Sequence, residues 1–364
     1  MNKVWLELFK DRLFSDNNTT PKILQPNHLN GLDGLRGIAI IFVLLGHSLI
    51  GTWWVDYLPG SIGVDIFFVL SGFLITTLLL KEKAKKGWVD LKKFYVRRAL
   101  RIFPVAYLYL VSLIILTLVF HLHTTPRMFL TAGLYIGNFP IQYGSNWQTS
   151  HFWSLAVEEQ FYLIFPILLV KSTNKYLLLV TLILLTLPFI VIVGRMPLGS
   201  NYQLAHKLIL SFTYLLGYGT SSILIGSLTA ILIFKGVIRV KKTSYLLSFI
   251  LFVMAISVHI TGVLNWNALI YVFPVLISAV IILNLAGDNF FSSILKHPIL
   301  VKIGVLSYSI YIWQQLFTFS QPWSDWKYGN SLLINLPLLF LVSYSSYYFF
   351  ERKFLTIKNR FKVL

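Results

Sequence analysis

Residues 34–53 read GLRGIAIIFVLLGHSLIGTW. This run has the length of a membrane-spanning helix, which needs roughly 20 mostly apolar residues, yet it contains Arg36 and His47. Ionisable groups are costly inside hydrocarbon, so their presence there indicates a functional site by default. On one helix the two residues are about 16 Å apart along the axis. This spacing predicts a charge near one membrane face and a titratable imidazole beyond the middle of the bilayer.

Composition places the whole chain in a membrane. Its 364 residues are 56% hydrophobic and 12% charged, with a mean hydropathy of +0.72, whereas soluble domains carry about 25% charged residues. The sequence has no cysteine, which excludes disulfides, thiolate zinc sites and a cysteine acyl-enzyme. The net charge of +18 does not indicate nucleic acid, because the cations stand beside apolar runs.

Ten apolar runs predict an all-α, polytopic membrane helix bundle with about ten transmembrane helices. The runs are 34–53, 61–80, 102–121, 152–170, 176–193, 217–235, 245–263, 267–286, 303–320 and 331–350. An even number of spans puts both termini on the same side of the membrane. Two shorter apolar stretches, 128–139 and 207–216, are expected to be interfacial or re-entrant.

The distribution of lysine and arginine predicts the orientation, because cytoplasmic loops carry an excess of these residues. The linker 81–101 holds nine of them. The linkers expected on the opposite side carry only Arg127, Arg195, Lys207 and Lys327. Both termini are therefore predicted to be cytoplasmic, in a multi-pass protein of the plasma (inner) membrane.

Three parts are expected along the chain. Residues 31–354 form the membrane domain, and residues 355–364 form a basic cytoplasmic tail. Residues 1–30 form a cytoplasmic segment, in which tryptophan, leucine and phenylalanine alternate with lysine and arginine up to Phe14. This pattern fits a helix lying on the membrane surface, or equally a frayed tail.

Carboxylates on two other helices are predicted at a depth similar to that of His47. Asp65 lies about one turn inside the second span, and Glu158 and Glu159 lie about 10 Å inside the fourth. A carboxylate beside a neutral imidazole can fix its tautomer and support its charging, as a general base requires. Adjacent glutamates point about 100° apart on a helix, and we favour Glu158 as the inward-facing one.

Two alternatives remain open for these carboxylates. Asp65 could join two helices without a part in the chemistry. A metal site formed by His47, Asp65 and Glu158 is the other alternative, but acid–base chemistry at an imidazole needs no metal, so none is predicted.

Two arginines predict a phosphate site at the cytoplasmic face. Arg98 and Arg101 are three residues apart and share a helix face, where paired guanidinium groups suit bidentate phosphate binding. The alternative is an interfacial anchor. Together with Arg36, the pair predicts a pocket for a phosphate-rich donor. Coenzyme A fits, because it has a polyphosphate head and a long arm that ends in a thioester.

Four stretches, in order, resemble the motifs of acyltransferase family 3, the integral-membrane enzymes that O-acylate envelope polysaccharides and related acceptors. The resemblance runs from Leu32 to Phe354. The stretches are Arg36 and His47 with ten residues between them, GVDIFFVLSGFLI at 63–75, RALR at 98–101, and WSLAVEEQFY at 153–162. One departure concerns Gln314, which follows Trp313 where many members carry histidine. Glutamine cannot titrate usefully, so a proton role at this position is in doubt.

The resemblance implies an acyl-CoA-dependent O-acyltransferase. Acyl-CoA, expected to be acetyl-CoA, would bind Arg36, Arg98 and Arg101 through its phosphates. His47 would take a proton from a hydroxyl of a carbohydrate or glycolipid acceptor, with Asp65 or Glu158 orienting the imidazole. The acceptor would contact Trp153 and His151, although His151 could instead cap its helix. A covalent acyl intermediate on Ser48 or Ser71 is the less favoured route.

Two other classes of function remain compatible with these residues. A glycolipid or small-anion transporter or flippase could use the same buried charges as a relay. A non-catalytic partner in envelope assembly would predict no effect of His47→Ala.

Overall fold

The computed structural model describes residues 19–26, 30–56, 60–139, 146–195, 209, 219–239, 244–264 and 266–361. Two predicted segments lie outside these residues. They are the amphipathic segment up to Phe14 and the stretch 207–216, of which only residue 209 is described. Every regular element in the described part of the chain is helical. The predicted all-α class is therefore confirmed.

The α-helices are numbered in chain order over the described residues. They are α1 (Asn30–Ser48), α2 (Ser61–Lys86), α3 (Leu91–Phe120), α4 (Pro126–Gly133), α5 (Trp147–Ser150), α6 (Phe152–Lys171), α7 (Thr173–Arg195), α8 (Thr220–Phe234), α9 (Leu247–Thr261), α10 (Trp266–Ala286), α11 (Phe290–Leu295), α12 (Pro298–Trp313), α13 (Leu332–Ser345) and α14 (Arg352–Asn359). A 3₁₀ turn, Gln314–Leu316, follows α12, and a π-helical segment, Ser346–Glu351, joins α13 to α14.

These helices are those of a multi-pass membrane protein. Each of the ten predicted apolar runs overlaps a described helix. Within the described residues, 7 helices are long and apolar enough to cross a membrane. Helices α8 and α9 are apolar but have 15 residues each, or about 22 Å, which is less than the hydrocarbon thickness of roughly 30 Å. Ten crossings and cytoplasmic termini stay predictions.

The chain divides into two compact units, which are described separately. The first comprises Met1–Leu35, Asp65–Val89 and Phe161–Pro298. In it, helices α2 and α8 approach backbone to backbone at two glycines. A Cβ added at Gly72 would lie 1.9 Å from the Ile223 carbonyl oxygen, and one at Gly226 would lie 2.1 Å from that of Val69. Small residues of this kind are what allow membrane helices to pack closely.

The second unit comprises Arg36–Val64, Asp90–Gln160 and Ile299–Leu364. In it, α1 and α12 also meet through their backbones, because a Cβ at Gly37 would lie 2.4 Å from the Leu300 carbonyl oxygen. This close approach sets the relative position of His47 on α1 and of the turn that follows α12.

A proline inside α7 leaves one backbone carbonyl without its usual donor, and a tyrosine of the first unit supplies the missing hydrogen bond. Pro188 has no N–H, so the carbonyl of Leu184, four residues earlier, loses its donor within the helix. Tyr271 on α10 donates its hydroxyl to this carbonyl at 2.7 Å. In lipid such freed carbonyls must be satisfied within the protein, so this bond fixes α10 against α7.

We predict that Tyr271→Phe destabilises the protein by about 1–3 kcal/mol, because it leaves the Leu184 carbonyl without a donor. Thermal unfolding in detergent micelles measures the effect. The matched background is Pro188→Ala, which restores the N–H within the helix. In that background Tyr271→Phe should cost little, and an equal loss in both backgrounds would contradict the assignment.

Candidate functional site

The imidazole of His47 is held by an amide at the end of another helix. Its Nδ1 lies 2.8 Å from Oε1 of Gln314, which is the first residue of the 3₁₀ turn after α12. Gln314 is fully buried, whereas His47 is partly buried. The residue that departs from the family pattern therefore makes the direct contact with the candidate base.

The indole ring of Trp147 packs against the imidazole of this pair. Its ring meets the His47 ring edge-on, with centroids 5.3 Å apart, and its other contact is with Phe319 at 5.1 Å. The indole N–H donates to the Gln315 carbonyl at 2.8 Å. This bond ties the short helix α5 to the turn that contains Gln314, so three elements of the second unit position His47.

His151 lies in a cage of aromatic rings. Tyr109 and Tyr311 meet its ring edge-on at 5.2 and 5.8 Å, and Phe152 lies 4.8 Å away. The side chain of His151 is buried. Ser154 donates to the His151 carbonyl at 3.0 Å. His151 is thus a core residue of the second unit, and its contact with an acetyl acceptor stays a prediction.

Asp65 has its described partners within the first unit. Ser222 donates to Oδ1 at 3.2 Å, and Nε2 of His259 lies 3.8 Å from Oδ2. Ser222 is in the first turn of α8, where the helix dipole stabilises a nearby carboxylate. These contacts match the helix-joining alternative for Asp65. Its orientation of His47 stays a prediction.

Each arginine of the 98–101 motif has a carboxylate within electrostatic range. Glu159 feels the charge of Arg98, and Glu351 feels that of Arg101. Glu351 also accepts a 2.5 Å hydrogen bond from Ser309. Acidic side chains thus lie near both arginines of the motif.

Tyr135, which lies outside the candidate membrane spans, is near Glu159. Burial, with a smaller contribution from the nearby Glu159 carboxylate, raises the pKa of the Tyr135 hydroxyl far above its usual value. Tyr135 therefore stays neutral at any physiological pH.

The remaining predicted site residues also lie in the second unit. Arg36, Trp153 and Glu158 are all partly buried. Arg36 shares α1 with His47, and Trp153 and Glu158 share α6. The roles assigned to these three residues stay predictions.

Sequence reasoning missed the contacts of three residues: Gln314, Gln315 and His259. Gln314 and Gln315 are adjacent amides in an apolar run, and buried polar groups of this kind indicate a site in a membrane helix. That signal was present for both. For His259 the signal was weaker, because nothing in the sequence connects it to Asp65.

Comparison with known protein families shows to which family the chain belongs. A family model described as "Acyltransferase domain" matches residues 29–350. The chain belongs to acyltransferase family 3. The expectation drawn from the four motifs is therefore confirmed.

Curated relatives of this family member carry acetyltransferase names. "Putative O-acetyltransferase SACOL0978" of Staphylococcus aureus (strain COL) is 30% identical over 325 residues, which cover 80% of this chain and 51% of the relative. "Putative peptidoglycan O-acetyltransferase YrhL" of Bacillus subtilis (strain 168) is 28% identical over 355 residues, covering 89% and 54%.

A third relative matches over a shorter part of the chain. "O-acetyltransferase OatA" of Staphylococcus aureus (strain NCTC 8325 / PS 47) is 35% identical over 167 residues, covering 43% of this chain and 27% of the relative. The chain thus spans about half the length of the first two relatives and less of OatA. No solved structure matches the chain significantly.

We predict that Ser222→Ala lowers the unfolding temperature in detergent, with a loss of about 1–3 kcal/mol, because a hydrogen bond to the partly buried Asp65 carboxylate disappears. Ser221→Ala is the matched control, since it makes the same change one residue earlier in α8. Equal unfolding temperatures for the two variants would contradict the assignment of Ser222 to Asp65.

Proposed function

We propose that this family member is a membrane O-acetyltransferase that moves an acetyl group from acetyl-CoA to a hydroxyl of an envelope glycan or glycolipid. One observation carries the proposal: an imidazole, His47, is set within a predicted membrane span and held at 2.8 Å by a buried amide. Membership of the acyltransferase family and the acetyltransferase names of the relatives support the acetyl group.

The proposed chemistry is direct acyl transfer with His47 as the general base. The imidazole takes the proton of the acceptor hydroxyl while its oxygen attacks the thioester carbonyl. The resulting tetrahedral intermediate collapses, the carbon–sulfur bond breaks, and an O-acetyl ester forms. The imidazolium then gives its proton to the departing thiolate. His47 is then neutral again, so this route requires no metal and no second base.

The proposed donor site lies at the cytoplasmic face, at Arg36, Arg98 and Arg101. A guanidinium carries five N–H donors, so one that faces a carboxylate on one edge can still bind a phosphate with another. Glu159 and Glu351 would then hold Arg98 and Arg101 ready for the donor.

The proposed acetyl acceptor is a glycan that reaches His47 from the outer side of the membrane. One relative is named for peptidoglycan O-acetylation, which makes peptidoglycan strands the first acceptor to test. Trp153 is proposed to contact the acceptor. Asp65 or Glu158 is the proposed carboxylate that supports charging of the imidazole.

We predict that His47→Ala abolishes acetyl transfer, because a general base contributes about 10²–10⁴-fold to the rate. Membranes from cells that express each variant at matched levels receive labelled acetyl-CoA, and the label in envelope glycans and lipids is counted. His297→Ala is the control, since His297 is exposed and should leave transfer unchanged. Equal labelling by wild type and His47→Ala would remove His47 from catalysis.

A transporter or an assembly partner gives a different pattern in the same assay. Either would incorporate no label from acetyl-CoA even with wild-type protein and a glycan known to be acetylated in the same cells. That outcome would contradict the proposed enzyme rather than the role of one residue.

We predict that Arg98→Lys and Arg101→Lys each raise KM for acetyl-CoA about 10-fold or more, because lysine keeps the charge that Glu159 and Glu351 require but loses bidentate phosphate binding. Lys92→Arg is the control on the same linker, where the side chain is exposed. Initial rates against acetyl-CoA concentration measure the effect. An unchanged KM would assign the two arginines to anchoring.

A further inference from the structure

Two adjacent amides connect His47 to the backbone of helix α5. Gln315 Nε2 lies 2.7 Å from the Trp147 carbonyl and 2.7 Å from Ser150 Oγ. A carbonyl can only accept, and the Ser150 hydroxyl hydrogen is directed to the same Trp147 carbonyl at 3.0 Å. Both groups therefore require the NH₂ end of the Gln315 amide, and its orientation is fixed.

The orientation of the Gln315 amide determines that of Gln314, and Gln314 in turn determines the tautomer of His47. The Gln315 oxygen accepts from Gln314 Nε2 at 2.9 Å, so the Gln314 oxygen faces Nδ1 of His47. An amide oxygen can only accept. Nδ1 must therefore carry the hydrogen, and the lone pair of the neutral ring is on Nε2.

We propose that Gln314 and Gln315 are positioning residues that hold His47 in its Nδ1–H tautomer and present Nε2 to the acceptor hydroxyl in the space beside Gly60. This inference rests on the proposed function of His47 as general base. It gives the residue that departs from the family pattern a role that needs no titration.

Burial makes the orientation hard to reverse. Gln314 is 0% exposed and Gln315 is 1% exposed. Turning either amide would set two donors or two acceptors against each other, and a buried polar group without a partner is costly. The chain of bonds thus has one arrangement that satisfies every member.

The absence of a side chain at Gly60 leaves room at the basic nitrogen. A Cβ added there would lie 3.5 Å from Cδ2 and 3.6 Å from Nε2 of His47, with its nearest neighbour the Val43 carbonyl oxygen at 3.4 Å. These are ordinary contact distances, so alanine fits without a clash but covers the nitrogen. The geometry assigns this space to the reacting hydroxyl.

The tautomer is measured directly by NMR of protein carrying ¹⁵N-labelled histidine in lipid nanodiscs, with the His47 signals identified by their loss in His47→Gln. In the neutral wild-type ring, Nδ1 should give a protonated-nitrogen signal and Nε2 an unprotonated one. The opposite pattern, or a mixture, would overturn the proposal whether or not the protein proves to be an acetyltransferase.

Variants test the two amides separately. Gln314→Met removes the acceptor at Nδ1, and Gln315→Met frees the Gln314 amide to turn, so each should give both His47 tautomers. Gln321→Met is the matched control, because Gln321 is a buried glutamine whose amide donates to the Phe317 carbonyl. It should keep the wild-type tautomer. A wild-type tautomer in Gln315→Met would overturn the role of Gln315.

Kinetics complete the test. Gln315→Met should lower kcat about 10- to 100-fold with KM for acetyl-CoA unchanged, since only the base is affected. Gly60→Ala should also lower kcat while keeping the wild-type tautomer, and Gln321→Met should leave kcat unchanged. If Gln315→Met changes the tautomer but not kcat, the positioning role is wrong. Absence of wild-type transfer would instead contradict the proposed function.

Discussion

The hydrogen bond between His47 and Gln314 reflects a requirement that applies to every polar group in a membrane span. In hydrocarbon, a polar group must find its partner inside the protein, because water is absent. An imidazole in a membrane span therefore has its orientation decided by whichever group the fold places against it. Here that group is an amide whose own orientation is set by the backbone of α5. The same constraint explains the Tyr271 bond to the carbonyl freed by Pro188.

The sequence predicted the helices and the candidate base because both depend on local pattern. An apolar run of sufficient length forms a helix in lipid wherever its partners lie, and His47 stands out within such a run. Gln314 stands out in the sequence only as a departure from the family pattern. Its contact with His47 joins residues 267 positions apart. A pairing over that distance follows from tertiary packing, such as the close approach at Gly37, and no local pattern reveals it.

Asp65 shows how far a local pattern reaches. A carboxylate one turn inside a helix is predicted to orient an imidazole, and that role stays a prediction. Within the first unit Asp65 accepts a hydrogen bond from Ser222, at the first turn of α8, and lies near His259. Both readings rest on the cost of an isolated charge in hydrocarbon. That cost predicts that a partner exists, but packing chooses which one.

An amide and a carboxylate would serve a general base differently. A carboxylate orients the ring and stabilises the imidazolium, as in hydrolases with a serine, histidine and aspartate, where the histidine takes a proton and then gives it to the leaving group. Gln314 fixes the ring but offers no charge, so an imidazolium at His47 gains no ion-pair stabilisation from it. The thiolate formed in the same turnover is more basic than imidazole and is the natural recipient of the proton. A neutral partner thus fixes the tautomer of His47 without stabilising its protonated form.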